Sequence, residues 1–486
     1  MKLRYFAVLL GLGLVAGVTP LGVYAQTPTA EPDLVVPEVE ILPETPEAEA
    51  EAEPAEPGLT AVGAYNLGVE RYNQGNYEAA LEAFNLAIER DPSLADAYLY
   101  RGLILARQGN YDRALADINQ ALSLSPGNAN ALFARGSVYF RQNNPTAAQA
   151  DFNAALEANP DAVNVYLYRG LVDTQQGRND LALEDFSTAI ELDPTNPTAF
   201  LLRGFALERV NNYSDAVTDF SRAIELRGDL PRAYMGRGVA YYHLGLYDAA
   251  LEDLNQAIRL DPDLARAYLN RSHVFFRQGR PNRALQDLDR ALQLNPSLTE
   301  AYMSRGTIRA AQNNLTGAQQ DFARVLQLNP DSAMAYKLRG DALLQAGDAT
   351  AAIADYTEAL FLDPTFAAAL KARGDARKAT GDVFGAIDDY SQALEVQPNF
   401  PEAFSARGSA YLQVNQSQNA YQDLTQAIIN APNRADARLF YNRGLVRARL
   451  GDDAGARRDF EQAAQLFLQQ GEAAGYRRTL NQMSQL

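Results

Sequence analysis

A chain of 486 residues would ordinarily divide into about three globular domains. It carries 60 acidic against 43 basic residues, for a net charge of −17, which argues against nucleic-acid binding, where clustered positive charge is needed. Cysteine is absent, so disulfides, thiolate nucleophiles and cysteine-based metal sites are excluded together.

Lys2 and Arg4 give a positive start, Tyr5 to Val18 is uncharged and mostly apolar, and Val23-Tyr24-Ala25 puts small residues at the two places a signal peptidase reads. Residues 1–25 therefore have the three-part form of a secretory signal peptide, with cleavage expected after Ala25. The competing reading is an uncleaved membrane anchor, because Tyr5 to Ala25 approaches the roughly 20 apolar residues of a span. Either reading places the rest of the chain outside the cytoplasm, in a periplasm or equivalent lumen, or secreted. Residues 26–60 hold ten acidic residues and no basic ones among repeated Pro, Ala and Glu. Such a segment buries too little apolar surface to offset its ordering entropy and is expected to be a disordered linker. Its apolar island, Leu34-Val35-Val36 with Val39 to Leu42, reads either as a recognition motif or as neutral spacer, and composition favours the spacer.

From Ala61 the chain repeats every 34 residues, eleven times without a slipped residue, and a partial twelfth copy follows to about residue 470. With Ala61 as place one, the eighth place is glycine in every copy except at Ser272, and the twentieth is always alanine, from Ala80 to Ala420. Place thirty-two is proline except at Gly228. A period of this length marks a stacked array of one supersecondary unit, not a set of globular domains. Apolar residues recur at three- and four-residue steps, and a break in mid-unit splits each copy into two helices. The break is glycine or asparagine every time: Gly75, Gly109, Asn143, Gly177, Asn211, Gly245, Gly279, Asn313, Gly347, Gly381, Asn415 and Gly451. These residues enter the left-handed conformation cheaply, as a helix end before a tight turn requires. The proline near the end of the unit, as in Asp91-Pro92 and Asn295-Pro296, stops the second helix. After Gly471 a last segment, residues 471–486, places Tyr476, Leu480, Met483 and Leu486 at helical spacing and is expected to cap the stack.

One copy supplies Tyr166, Gly170, Ala182, Phe186, Ala189 and Pro194. In these residues, met in register many times over residues 61 to about 470, the chain resembles the tetratricopeptide repeat family. The resemblance implies an all-α fold, a right-handed superhelical solenoid of stacked helix-turn-helix hairpins whose first helices line a concave groove. It also implies a scaffold that holds extended peptides or partner helices. Departures are Ser272 for glycine, Val325 for the late alanine, Gly228 for proline, and two residues inserted before Gly444.

Repeats two to twelve carry an arginine at place seven and an aspartate on the second helix, as in Arg101 with Asp117, Arg203 with Asp219 and Arg339 with Asp355. Only the first repeat lacks both, with Leu67 and Ala83. Pairing with the preceding repeat would set Arg101 against Ala83, and pairing with the following one would strand Asp117 and Arg443. Pairing inside the hairpin leaves no orphan and predicts eleven structural ion pairs, which fix geometry more than they add stability.

No catalytic constellation stands out, and no cofactor or metal site is expected. His243 and His273 lack further ligands and read as ordinary surface histidines. Binding is therefore sought in the groove, into which the family geometry points places five and nine of the first helix. Place five holds Tyr65, Leu99, Phe133, Leu167, Leu201, Met235, Leu269 and Met303, then Lys337 and Lys371, and place nine adds Phe205. The apolar stripe suits a hydrophobic or amphipathic segment, or else it is interior packing between first helices. Lys337 and Lys371, with Asp341 and Asp375, form a patch that could grip a charged motif. The family's carboxylate clamp, lysine followed four residues later by asparagine, is not met. The expected function is an exported, non-enzymatic scaffold for a protein partner, assisting assembly of an envelope or membrane complex. The alternative is a carbohydrate-binding or polymer-export accessory. Membrane attachment is expected only through an uncleaved signal anchor.

Overall fold

The computed structural model describes residues 59–430 and 436–486. The signal segment, nearly all of the acidic linker, and residues 431–435 with Pro432 lie outside the described residues. The chain falls into two units, divided between Gln278 and Gly279.

Each unit is a solenoid of consecutive helical hairpins, with no strand among the described residues. In the first unit, first helices open on place one of the sequence frame: Ala61, Ala95, Ala129, Val163, Pro197, Pro231 and Ala265. The second unit continues with helices opening at Thr299, Ala333, Ala367 and Pro401, then Ala437 after the two-residue insertion. A typical hairpin pairs a 13-residue helix, Val163–Gln175, with a 14-residue helix, Asn179–Leu192.

The turns follow from residue type. All twelve break residues have positive φ, from 56° at Asn143 to 93° at Gly381. The N–H after the break then closes the turn, as Arg178 does in donating to the Asp173 carbonyl at 2.8 Å. In many copies the same residue caps the next helix, with Asn144 accepting from the Ala147 N–H at 3.3 Å and Asp348 from Ala351 at 3.0 Å. Hydrogen bonds from Ser93 to Asp91 shape the exit from a second helix and hold that carboxyl below its ordinary range.

The core lies between the two helices of each hairpin and the next first helix. Ala80, Ala114 and Ala182, at place twenty, are fully buried. Glycine at place eight is required by the close approach of the second helix: a Cβ on Gly170 would sit 2.6 Å from Phe186 Cε1, and one on Gly102 2.8 Å from Ile118 Cγ1. Repeat seven, which has Ser272 there, has Leu288 in place of the ring.

The end of the array departs from the frame. The second helix of repeat twelve, Asp453–Gln470, has 18 residues and stops at Gly471, φ 73°. The terminal helix, Ala473–Met483, buries Gly475 and Thr479, whereas Leu480 is exposed. Its buried face is therefore one residue away from the apolar spacing of Tyr476, Leu480 and Met483. The reason is close approach: a Cβ on Gly475 would lie 2.6 Å from Phe467 Cδ1, so small residues face the stack.

Gly170→Ala should lower stability in urea unfolding by about 1–3 kcal/mol through overpacking. Adding Phe186→Leu, which imitates the ring-free pairing of repeat seven, should recover part of that loss.

Candidate functional site

The arginine at place seven reaches three partners. Arg203 donates from Nε to Asp219 Oδ2 at 2.7 Å and from Nη2 to Asp219 Oδ1 at 2.8 Å, a bidentate pair inside one hairpin. The same pairing joins Arg101 to Asp117, Arg135 to Asp151, Arg169 to Asp185, Arg237 to Asp253 and Arg305 to Asp321. It continues with Arg339 and Asp355, Arg373 and Asp389, Arg407 and Asp423, and Arg443 and Asp459. Arg271 and Asp287 fall one in each unit. In repeat one, Ala83 is buried where the aspartate would be.

The remaining nitrogen, Nη1, crosses to the preceding repeat. It donates to Asn85 from Arg101 at 2.7 Å, to Asn119 from Arg135 at 2.8 Å, to Ser187 from Arg203 at 3.2 Å and to Asp289 from Arg305 at 2.7 Å. The guanidinium also lies over the ring at place four of its own helix, 5.5 Å from the Tyr98 and Tyr166 centroids. One side chain thus ties a hairpin together and joins it to its neighbour, which a point-charge lysine could not do. The aspartate pays in desolvation, because burial lifts the Asp185 carboxyl above its usual range despite Arg169. In repeats eight, ten and twelve a second arginine, at place eleven, reaches the same carboxylate: Arg309 to Asp321 at 2.8 Å, Arg377 to Asp389 at 3.0 Å and Arg447 to Asp459 at 3.4 Å. Each also donates to the carbonyl of Gly317, Gly385 or Gly455. The sequence signal for this brace, arginine at place eleven with glycine at nineteen, is present in just those three copies.

The apolar stripe is interior. Leu99, Phe133, Leu167, Leu201, Met235, Leu269 and Met303 are buried, none more than 8% exposed, and Tyr65 and Phe205 are half-buried. Phe133, for example, meets Phe152 at 5.9 Å and Tyr168 of the next repeat at 5.2 Å between ring centroids. These side chains close the seam between hairpins and are not open anchors for a ligand. The reason is register: place five lies against the second helix and the following first helix. The first-helix places left accessible include place two, with Val62, Asp96, Asn130 and Glu402 exposed. Its residues differ in chemistry from copy to copy, whereas place five stays apolar through eight copies, a contrast that separates surface from core.

Lys337 and Lys371 belong to two matching polar networks. Tyr356, fully buried, donates its hydroxyl to Asp341 Oδ1 at 2.8 Å, and Lys337 Nζ donates to Asp341 Oδ2 at 2.7 Å. Repeat ten copies this with Tyr390 to Asp375 at 2.8 Å and Lys371 to Asp375 at 2.6 Å. Burial, then the nearby Asp341 carboxylate, holds the Tyr356 hydroxyl far above its ordinary range, so it remains a donor. Every other repeat has Phe, Leu or Ile at this core place, and none has the lysine–aspartate pair. The patch is thus the polar lining that a buried tyrosine demands.

His243 stacks on Tyr213, 4.3 Å between centroids. His273 is half-buried, contrary to a surface position, and burial pushes its imidazole down to about 4. No group of three metal-capable side chains occurs among the described residues, and no described helix is long and apolar enough to cross a membrane.

The tetratricopeptide repeat family model matches residues 65–129, 133–197, 269–333 and 303–367, and a TPR repeat model matches 241–279 and 374–415. The chain belongs to the tetratricopeptide repeat family, an architecture of protein–protein interaction scaffolds. Among solved structures it is similar to a tetratricopeptide repeat protein from Parabacteroides merdae, at 22% identity over 51% of this chain and 98% of that one, TM-score 0.45. It is also similar to yeast Tom70, at 15% identity over 87% and 95% of the two chains, TM-score 0.40. A third is the Cut9–Hcn1 hetero-tetramer of the APC/C, at 16% identity over 76% and 93%, TM-score 0.43. No curated protein sequence matches the chain.

Arg203→Leu should cost about 3 kcal/mol in denaturant unfolding, because it leaves the buried Asp219 unpaired. Adding Asp219→Ala, as in repeat one, should restore most of it, and a double variant as unstable as the single would refute the pairing. In repeat nine, Asp341→Leu alone should cost about 1–3 kcal/mol by orphaning the Tyr356 hydroxyl. The triple variant Lys337→Leu, Asp341→Leu, Tyr356→Phe, which rebuilds the apolar core of repeat four, should unfold near the parent midpoint.

Proposed function

We propose that this protein is an exported, non-enzymatic scaffold that binds segments of partner proteins along its first helices. The observation that carries the reading is a run of repeats of one geometry whose second places, exposed in copies such as Val62, Asp96, Asn130 and Glu402 and half-buried in others, vary in chemistry from copy to copy. A rigid frame with variable outward residues suits recognition of an extended or helical segment, each repeat contributing one contact at little conformational cost. The three-part form of residues 1–25 supports export, so the partner is sought among envelope or membrane complexes whose assembly the scaffold assists.

Intact-mass measurement of protein from its native cell should give a chain beginning at Gln26, and a retained Met1 would replace export by anchoring. Affinity capture of that mature chain, with mass spectrometry of what is retained, identifies the partner. The triple variant Val62→Asp, Asp96→Ala, Asn130→Ala should lose the captured protein while keeping the parental helicity and melting temperature. Undiminished capture would place the binding surface elsewhere.

A further inference from the structure

The lengthened second helix of repeat twelve and the terminal helix, pressed onto Phe467 at Gly475, border with the first helix Ala437–Arg449 a cavity of about 350 Å³ that is half open to solvent. Its lining is Arg438, Tyr441, Asn442, Phe467, Gly475 and Arg478. Phe467 is 3% exposed and Tyr441 is half-buried against Phe460, 5.8 Å between centroids, so two aromatic surfaces form fixed walls. Two guanidiniums stand at the same cavity. Arg478 has no carboxylate partner among the described residues, and Arg438 meets only Glu472, at 3.7 Å with both side chains largely exposed. Such an exposed pair is weak and readily exchanged. Residues 436–486 hold eight arginines against six acidic residues, within a chain whose net charge is −17.

We propose that this cavity binds a carboxylate carried on a short apolar stem. Guanidinium presents parallel N–H donors that match the two oxygens of a carboxylate, and Asn442 offers a further amide donor. The aromatic walls shelter the stem, and the volume lies at the small end of ligand pockets, which limits the stem to a single side chain or its equivalent. A bare phosphate would leave those walls uncovered, and a cation would be repelled. The same chemistry is presented by a free small acid and by the C-terminal residue of a polypeptide with an apolar side chain. The inference does not depend on the scaffold reading, since occupancy of this end cavity requires no contact along the rest of the array.

Calorimetric titration of the full chain tests it with three probes: 4-phenylbutyrate, the peptide acetyl-Gly-Ala-Leu with a free C-terminus, and the same peptide amidated. At least one carboxylate probe should bind with a Kd of about 0.1–1 mM, as expected for so few ligand atoms. The amide should bind at least about tenfold more weakly, and Arg438→Gln and Arg478→Gln should each weaken binding about tenfold, for loss of a charge-assisted hydrogen bond. Glu472→Gln, which releases Arg438, should tighten it. The thermal midpoint should stay at the parental value in all three variants, since the altered side chains are exposed. Tighter binding of the peptide assigns a polypeptide terminus, and tighter binding of phenylbutyrate assigns a free acid. The proposal is overturned if neither acid binds, if the amide binds equally, if inorganic phosphate displaces the probes at equal concentration, or if the arginine variants bind as the parent does.

Discussion

The arginine–aspartate pair inside ten of the hairpins is the interaction on which the rest of the array depends. A hairpin has two degrees of freedom that apolar packing constrains poorly, the slide of one helix along the other and the rotation of each about its axis. A bidentate pair between Nε, Nη2 and both carboxylate oxygens restricts both, because its donors and acceptors are coplanar and directional. In Arg203 the third nitrogen then uses that fixed orientation to reach Ser187 on the neighbouring repeat. Order within a hairpin is thereby passed to the interface. The carboxylate is buried at a cost in desolvation, so the gain is in uniqueness of geometry more than in free energy.

The period, the left-handed turn residues and the partners of ten of the eleven arginines could all be read from the residues. The last of these came from an absence, since Leu67 and Ala83 depart together in the first repeat and so reveal which aspartate each arginine meets. For the apolar stripe the residues leave groove and interior packing both open, and burial favours packing. Leu167 and Leu201 lie on the same helical face that family geometry assigns to the concavity, yet a neighbouring first helix covers that face. A periodicity argument sees one helix at a time and cannot see the next one arriving. Nor could it see that Asn85, Asn119 and Ser187 accept from the arginine, because their identities vary while their role does not.

Repeats nine and ten show how one polar atom propagates through a core. A tyrosine hydroxyl in place of a ring hydrogen needs an acceptor, the acceptor used is a carboxylate, and the carboxylate in turn needs a cation. Three places therefore change together, Tyr356 with Asp341 and Lys337. What reads in the sequence as a charged surface patch is the visible end of a buried requirement.

Nη1 donates its crossing bond to an asparagine, serine or aspartate oxygen with little discrimination. Joints of this kind are interchangeable, and an oxygen at place twenty-five adds a bond to a joint without being required by it. Arg339 at present follows a repeat with Ala323 there, and removal of residues 299–332 would set it beside Asp289 instead. A gain or loss of 34 residues by unequal recombination would thus leave intact copies on both sides of the junction. An insertion of another length inside a helix would break the copy that receives it, whereas two extra residues between Asn430 and Ala437 leave both neighbouring hairpins formed. The strict spacing of the array is what a gene would retain if it could change its number of repeats but not the length of one.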